Sequence, residues 1–236
     1  MENRLIVALD VPSLAKAKEL IDVLDDAANF YKVGLELFLN TRGEILDYLK
    51  TKEKKIFLDL KFHDIPNTVT QAAKWAAGLG VDMFNVHASG GGVMMSTTVE
   101  TVKNTALNNG FKVPLIIGVT VLTSFDIESF SQVGYKYTIP ETVMNLAQLC
   151  QKSGLDGVVC SPQEANQIKT VCGQEFMTVC PGVRPRGTLL EDQKRITTPQ
   201  EAIKMGADYL VVGRPITKSI NPNQAAKDIV TEMVTI

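Results

Sequence analysis

Residues 56 to 64 of this chain read Ile-Phe-Leu-Asp-Leu-Lys-Phe-His-Asp, which sets charges in the middle of a run otherwise suited to a buried parallel strand. The two-residue period of a strand sends Leu58, Leu60 and Phe62 to one face and Asp59 and Lys61 to the other. Lys32 interrupts a second apolar run. A lone buried charge is costly, and several are tolerable only where opposite signs meet, so Lys32, Asp59, Lys61 and Asp64 are read as one compensated array. Such an array is either a structural ion pair at a strand end or a reactive site, and the cost of charge inside a strand favours the reactive site. The two histidines, His63 and His87, suggest a metal centre together with Asp59 and Asp64. That reading is the weaker one, because the Lys61 ammonium would stand where the metal belongs. His87 is expected to be a hydrogen-bonded residue at the rim, Ser89 to Gly92 a plain loop, and Trp75, among alanines at helical spacing, a packing residue.

The elements that must position these groups are legible as an alternation. Eight β-rich runs, residues 4 to 10, 31 to 37, 55 to 62, 83 to 89, 115 to 122, 157 to 161, 176 to 182 and 209 to 215, are separated by segments of helical period. Eight such pairs close a parallel (β/α)8 TIM barrel, and barrels of roughly 200 to 250 residues form one domain, so residues 1–236 are read as a single unit. Ser13 to Asp26 is a helix with Ser13 as its N-cap and Leu14, Ala17, Leu20, Ile21 and Leu24 as its apolar stripe. Asn67 to Leu79 follows the same logic, and Gly80, Gly154 and Gly206 stand where left-handed C-caps are wanted. An open doubly wound sheet is the alternative, but the first strand ends in Asp10, Val11 and Pro12 with no glycine-rich fingerprint after it. In a barrel, chemistry belongs at the C-terminal strand ends, where the charged run finishes.

Composition narrows the partners. With 45% hydrophobic and 21% charged residues the chain is not disordered. Lys plus Arg at 24 against Asp plus Glu at 26 leaves a net charge of -2, which gives no polyelectrolyte footprint for nucleic acid or membrane, so an anionic ligand must be gripped locally. Cys150, Cys160, Cys172 and Cys180 contain no Cys-x-x-Cys and read as buried reduced thiols, with a reducing cytoplasm as the expected location. The apolar run after Met1 ends at Asp10, too short for a signal peptide or a membrane span.

The segment from Asp59 to Thr68 contains Asp-x-Lys-x-x-Asp running into Asp-Ile-Pro-Asn-Thr, and it resembles the signature of the orotidine 5′-monophosphate decarboxylase family. The likeness extends over the whole chain: Asp10 after the first strand, Lys32 in the second, Val121 to Ser124 after the fifth, Pro181 to Pro185 after the seventh, and Val212 to Ile216 after the eighth. Sugar-phosphate decarboxylases and synthases share Asp-x-Lys-x-x-Asp; the ensemble is much more specific. The resemblance implies loss of carbon dioxide from orotidine 5′-monophosphate to give uridine 5′-monophosphate, with no metal or other cofactor. It implies that Lys61 is the proton donor, with Asp59 and Asp64 holding it as the ammonium. Asp59 would lie near the departing carboxylate, where two like charges about 4 Å apart cost about 4 kcal/mol at an effective dielectric of 20, or roughly three decades of rate. The larger share is assigned to the preorganised ammonium. The resemblance gives Lys32 and Asp10 to the ribose hydroxyls and Thr123 to the base. It makes Gln193 a bridge from phosphate to pyrimidine, and carries Asp64 and Thr68 across a homodimer interface into the partner's site.

Barrels commonly bind phosphate on the loops after strands seven and eight. Gly213 permits close backbone approach and Arg214 offers a bidentate fork, and both are given to the phosphate by the resemblance. Arg184 and Gln193 lie in a long connection from Val183 to Thr197 that reads as a lid closing over ligand. Two competing readings are a magnesium-dependent ketohexose-phosphate decarboxylase or synthase on the same fold and a catalytically inert phosphate-ligand binding protein.

Overall fold

The computed structural model describes residues 4–185 and 197–234. Eight parallel strands close a barrel in sequence order: β1 (Leu5–Ala8), β2 (Phe30–Gly34), β3 (Lys55–Phe62), β4 (Met83–His87), β5 (Leu115–Val119), β6 (Gly157–Val159), β7 (Met177–Pro181) and β8 (Tyr209–Val212), with β8 paired back to β1. This is the expected (β/α)8 barrel, and the open-sheet alternative falls away. Seven of the eight runs predicted from sequence extend further than the strands that form. Leu35–Thr41 is a helix rather than the end of β2, and Arg214–Thr217 is a short helix rather than the end of β8. Apolar composition continues past the rim, but the ladder stops where a neighbouring strand no longer lies alongside.

Parity along the strands sorts two cores. Leu5, Val7, Leu9, Val33, Leu58 and Phe84 join the layer between sheet and helices, whereas Ile6, Ala8, Phe30, Phe57, Met83, Ile117, Val179 and Val211 pack inside the barrel. The inner positions change character along each strand: Ile6 and Ala8 lead to Asp10, Phe30 leads to Lys32, and Phe57 leads to Asp59. An apolar floor thus lies directly beneath a charged tier, and it excludes water from one side of those charges. The helix Leu14–Leu24 forms as expected, with the Ser13 side chain accepting from Lys16 N–H and Ala17, Leu20, Ile21 and Leu24 buried.

The opposite end of the barrel is riveted by a repeated device. Gly80-Val81-Asp82, Gly154-Leu155-Asp156 and Gly206-Ala207-Asp208 each join a helix to the next strand, and their glycines have φ of 68°, 82° and 98°. The buried apolar residue plugs the layer beneath the helices. The aspartate then accepts a backbone N–H from the preceding strand: Asp82 from Ile56 at 3.0 Å, Asp156 from Ile116 at 2.7 Å, Asp208 from Thr178 at 2.8 Å. Each bond satisfies a strand-end donor that has no ladder partner. Buried Lys169 neutralises Asp208 at 2.6 Å. All four cysteines are buried and reduced. Among the described residues no helix is long and apolar enough to cross a membrane.

Candidate active site

The charged tier at the strand C-termini is a line of alternating signs. Lys32 of β2 pairs with Asp10 at 3.0 Å and with Asp59 at 3.2 Å, and the other oxygen of Asp59 receives Lys61 at 2.6 Å. Three of the four charges in the predicted array therefore meet, and Asp10 joins them. Burial acts against the charge of Lys32, but Asp59 and Asp10 outweigh it and hold the ammonium above the ordinary lysine range. Burial likewise opposes ionised Asp59. The two lysines, with hydrogen bonds from Lys61 and Asn85, overcome it and keep the carboxyl below its ordinary range. Gly34 makes room for the arrangement, since a Cβ there would stand 3.1 Å from the Lys32 ammonium.

Asn85, fully buried in β4, is a site residue that sequence reasoning missed. Its amide donates to Asp59 at 2.7 Å and accepts from the backbone N–H of Lys61 at 2.8 Å. The signal was present: an asparagine in the middle of Met-Phe-Asn-Val-His, a run otherwise fit for a buried strand.

These groups open onto a cavity of about 360 Å³ whose floor is Ala8, Phe57, Val119, Val159 and Val211. Asp10, Lys32, Asp59 and Lys61 line one part of its wall, and Leu122 and Thr123 another. Gly182, Arg184, Gly213 and Arg214, from the loops after β7 and β8, complete it. The connection after β7 is pinned at its base, where Val183 bridges to Thr197 and Arg184 N–H donates to the Thr197 carbonyl at 3.1 Å. Gln193 and the rest of the expected lid lie outside the described residues.

Asp64 and Thr68 do not line the cavity of their own chain. Both are exposed, Asp64 accepting from Ile65 N–H at 2.6 Å and Thr68 standing near the start of the helix Pro66–Gly78. His87 is half-buried, and its partner among the described residues is the His63 ring at 5.2 Å, not the hydrogen bond expected of it. Burial, then His63 and Lys61, push its pKa down. Trp75 packs edge-on against Phe38 at 5.7 Å but remains 47% exposed, so packing is half of its role. Ser89 and Gly90 lie in a single 3-10 turn, and Gly92 already begins a helix. Among the described residues no group of three or more His, Cys, Asp or Glu side chains is arranged to hold a metal ion.

Reactive charges at the C-terminal mouth, over an apolar floor and beside the β7 and β8 loops, define the class: a (β/α)8-barrel enzyme. Residues 3–229 match the Orotidine 5'-phosphate decarboxylase / HUMPS family, and the chain belongs to that family. It is 47% identical over 235 residues to the orotidine 5'-phosphate decarboxylase of Nostoc sp., covering 99% of this chain and 98% of that one. It is 49% identical over 233 residues to the enzyme of the same name from Carboxydothermus hydrogenoformans, covering 99% and 97%. The crystal structure of orotidine 5'-phosphate decarboxylase from Lactobacillus acidophilus superposes with a TM-score of 0.88 at 36% identity, covering 99% of this chain and 100% of that one.

Proposed function

We propose that this chain decarboxylates orotidine 5′-monophosphate to uridine 5′-monophosphate in pyrimidine biosynthesis, acting in the cytoplasm as one catalytic domain over residues 1–236. The observation that carries the reading is the ion chain Asp10, Lys32, Asp59, Lys61 in the wall of a cavity completed by Gly182, Arg184, Gly213 and Arg214. Such a cavity suits a ligand with a reacting ring at one end and a phosphate at the other.

In the reaction the bond between a pyrimidine ring carbon and its carboxylate breaks, the electron pair stays on the ring carbon, and carbon dioxide leaves. Lys61 Nζ then delivers a proton to that carbon and recovers one from solvent. Asp10 and Lys32 hold the ribose hydroxyls, Thr123 meets the base, and Arg184, Gly213 and Arg214 grip the phosphate. Gln193 bridges phosphate and pyrimidine. The charges of Asp10, Lys32, Asp59 and Lys61 sum to zero, so the substrate carboxylate enters a neutral array and not a purely repulsive one. Decarboxylation keeps the ligand's charge but moves it from beside Asp59 toward Lys61, and the fixed dipole of that pair favours the displacement. With two ammoniums within 3.2 Å of Asp59, repulsion of the ground state is damped and the preorganised lysine carries the larger share.

The functional unit is a homodimer in which Asp64 and Thr68 reach the partner's site. Supporting this, Ile65 is 66% exposed between them, and Leu35, Leu39 and Val93 stand exposed on the helices nearby. Apolar side chains beside charges that their own cavity does not use fit an interface.

The test is the ultraviolet absorbance change on mixing the protein with orotidine 5′-monophosphate, with and without a chelator. Chelator-insensitive conversion to uridine 5′-monophosphate is expected. Folded protein without conversion would overturn the reading in favour of the sugar-phosphate branch or the binding protein, and conversion abolished by chelator would overturn its metal-free chemistry.

A further inference from the structure

β3 and β4 fall out of step beside the site. Leu58 pairs with Phe84 and Phe62 with Val86, so residues 59, 60 and 61 of β3 lie opposite the single residue Asn85. The extra residues form a bulge, and Lys61 within it takes a left-handed backbone with φ of 51°, rare for a residue with a long side chain. A bulge leaves ladder groups without partners. Here the Asn85 side chain replaces the missing bond, accepting from Lys61 N–H at 2.8 Å. The same amide donates at 2.7 Å to the Asp59 oxygen that receives the Lys61 ammonium. Asn85 is 0% exposed and does not line the cavity.

We propose that Asn85 is a positioning residue for the proton transfer: its amide locks the bulge that aims Lys61 along the cavity and fixes the Asp59 carboxylate between Lys32 and Lys61. An apolar residue there would strand both the Lys61 N–H and an Asp59 lone pair away from water, and each would seek partners by moving. A carboxylate would keep the acceptor but turn the donor into a repulsive oxygen. The kinetic side of the proposal rests on the decarboxylase reading; the structural side does not.

The experiment compares wild type with Asn85→Leu and Asn85→Asp, by steady-state turnover of orotidine 5′-monophosphate across pH and by crystallography. At neutral pH both variants should lose roughly 100-fold or more in kcat with KM held within about threefold, since Asn85 acts on the reacting groups and not on the ligand. On acidification Asn85→Asp should recover relative to Asn85→Leu, because the introduced carboxyl, once protonated, donates to Asp59 while still accepting from Lys61 N–H. The other titratable groups around it, Asp59 and Lys61 on β3, Lys32 on β2 and His87 on β4, are common to both variants and cancel in the comparison. Wild-type kcat in either folded variant, or equal losses at every pH, would overturn the proposal, as would an Asn85→Leu crystal structure with Lys61 and Asp59 unmoved. If Asn85→Leu fails to fold, the near-isosteric Asn85→Asp decides through its own pH recovery. A wild type inert toward orotidine 5′-monophosphate would sink the decarboxylase reading alone, and the crystal structures would still decide the positioning.

Discussion

Lys61 is held in a conformation that its own backbone disfavours, and this predicts an inversion between two inactive variants. The left-handed region costs a residue with a Cβ about 1–2 kcal/mol, and φ at Lys61 is 51°. The ion pair to Asp59 returns little of that: the Lys61 side chain is 37% exposed, which places its net worth at about 0–1 kcal/mol. Lys61→Ala removes the pair and keeps the strain. Lys61→Gly removes both, while the extra freedom of glycine in the unfolded chain takes back about 0.5–1 kcal/mol. The glycine variant should therefore be the more stable of the two by about 0.5–1 kcal/mol, a gap of roughly 1–4 °C in Tm for a domain of this size. Both should lose three or more decades of turnover, roughly the worth of a positioned general acid. Thermal and urea unfolding followed by circular dichroism, beside the absorbance assay, test it. An alanine variant as stable as the glycine variant would refute the strain, and either variant within tenfold of wild-type turnover would refute the proton-donor role.

Asp59 is more acidic folded than unfolded because the two lysines outweigh its burial, so its ionisation stabilises the fold above the ordinary aspartate value of 3.8 and that contribution fades as pH falls through the lower folded value. The stability difference between wild type and Asp59→Asn, measured by urea unfolding, should be constant near neutrality and shrink below 3.8; a constant difference throughout would contradict the coupling. Burial pushes the Cys150 thiol up to about 12 and raises Cys172 as well, while contact with the Cys180 sulfur, and then burial, raises Cys160. An aromatic disulfide reagent at mildly alkaline pH should therefore label none of the four cysteines in native protein and all four after unfolding, whereas prompt native labelling would place a thiol at the surface. If Asp64 works across subunits, Lys61→Ala and Asp64→Asn chains mixed at random should regain about a quarter of wild-type activity, because one of the two sites in each mixed dimer is intact. No gain after subunit exchange would confine Asp64 to its own chain.

Much of this was legible in the sequence, and the limits follow from what periodicity assumes. Alternation placed Asp59 on the inner face because β3 is regular up to that residue, and it separated Leu58 from Asp59 correctly. It overran the strand ends at Leu35 and Arg214 because side-chain type persists where the hydrogen-bond ladder does not. The glycines at 80, 154 and 206 were recognised as caps, but the aspartate two residues later in each was not, since its bond runs to a strand in an earlier part of the chain. Asp64 was assigned to the same array as Asp59 on spacing, yet the strand ends at Phe62 and Asp64 turns to its own neighbour's N–H.

The bulge was illegible for a deeper reason. An asparagine in a buried strand, two surplus residues in its neighbour and a lysine with positive φ are each a defect when taken singly, and rules for regular strands count all three against the fold. Together they cancel. The surplus residues free the Lys61 N–H, the asparagine accepts it, and the amide's remaining donor turns to the carboxylate that the lysine needs. A regular β3 would satisfy every backbone group through the ladder and leave Asn85 with no such bond to complete. The departure from regularity, carried on a barrel whose far end is tied down by Asp82, Asp156 and Asp208, is thus what lets a rigid fold present one lysine at an angle that a strand cannot.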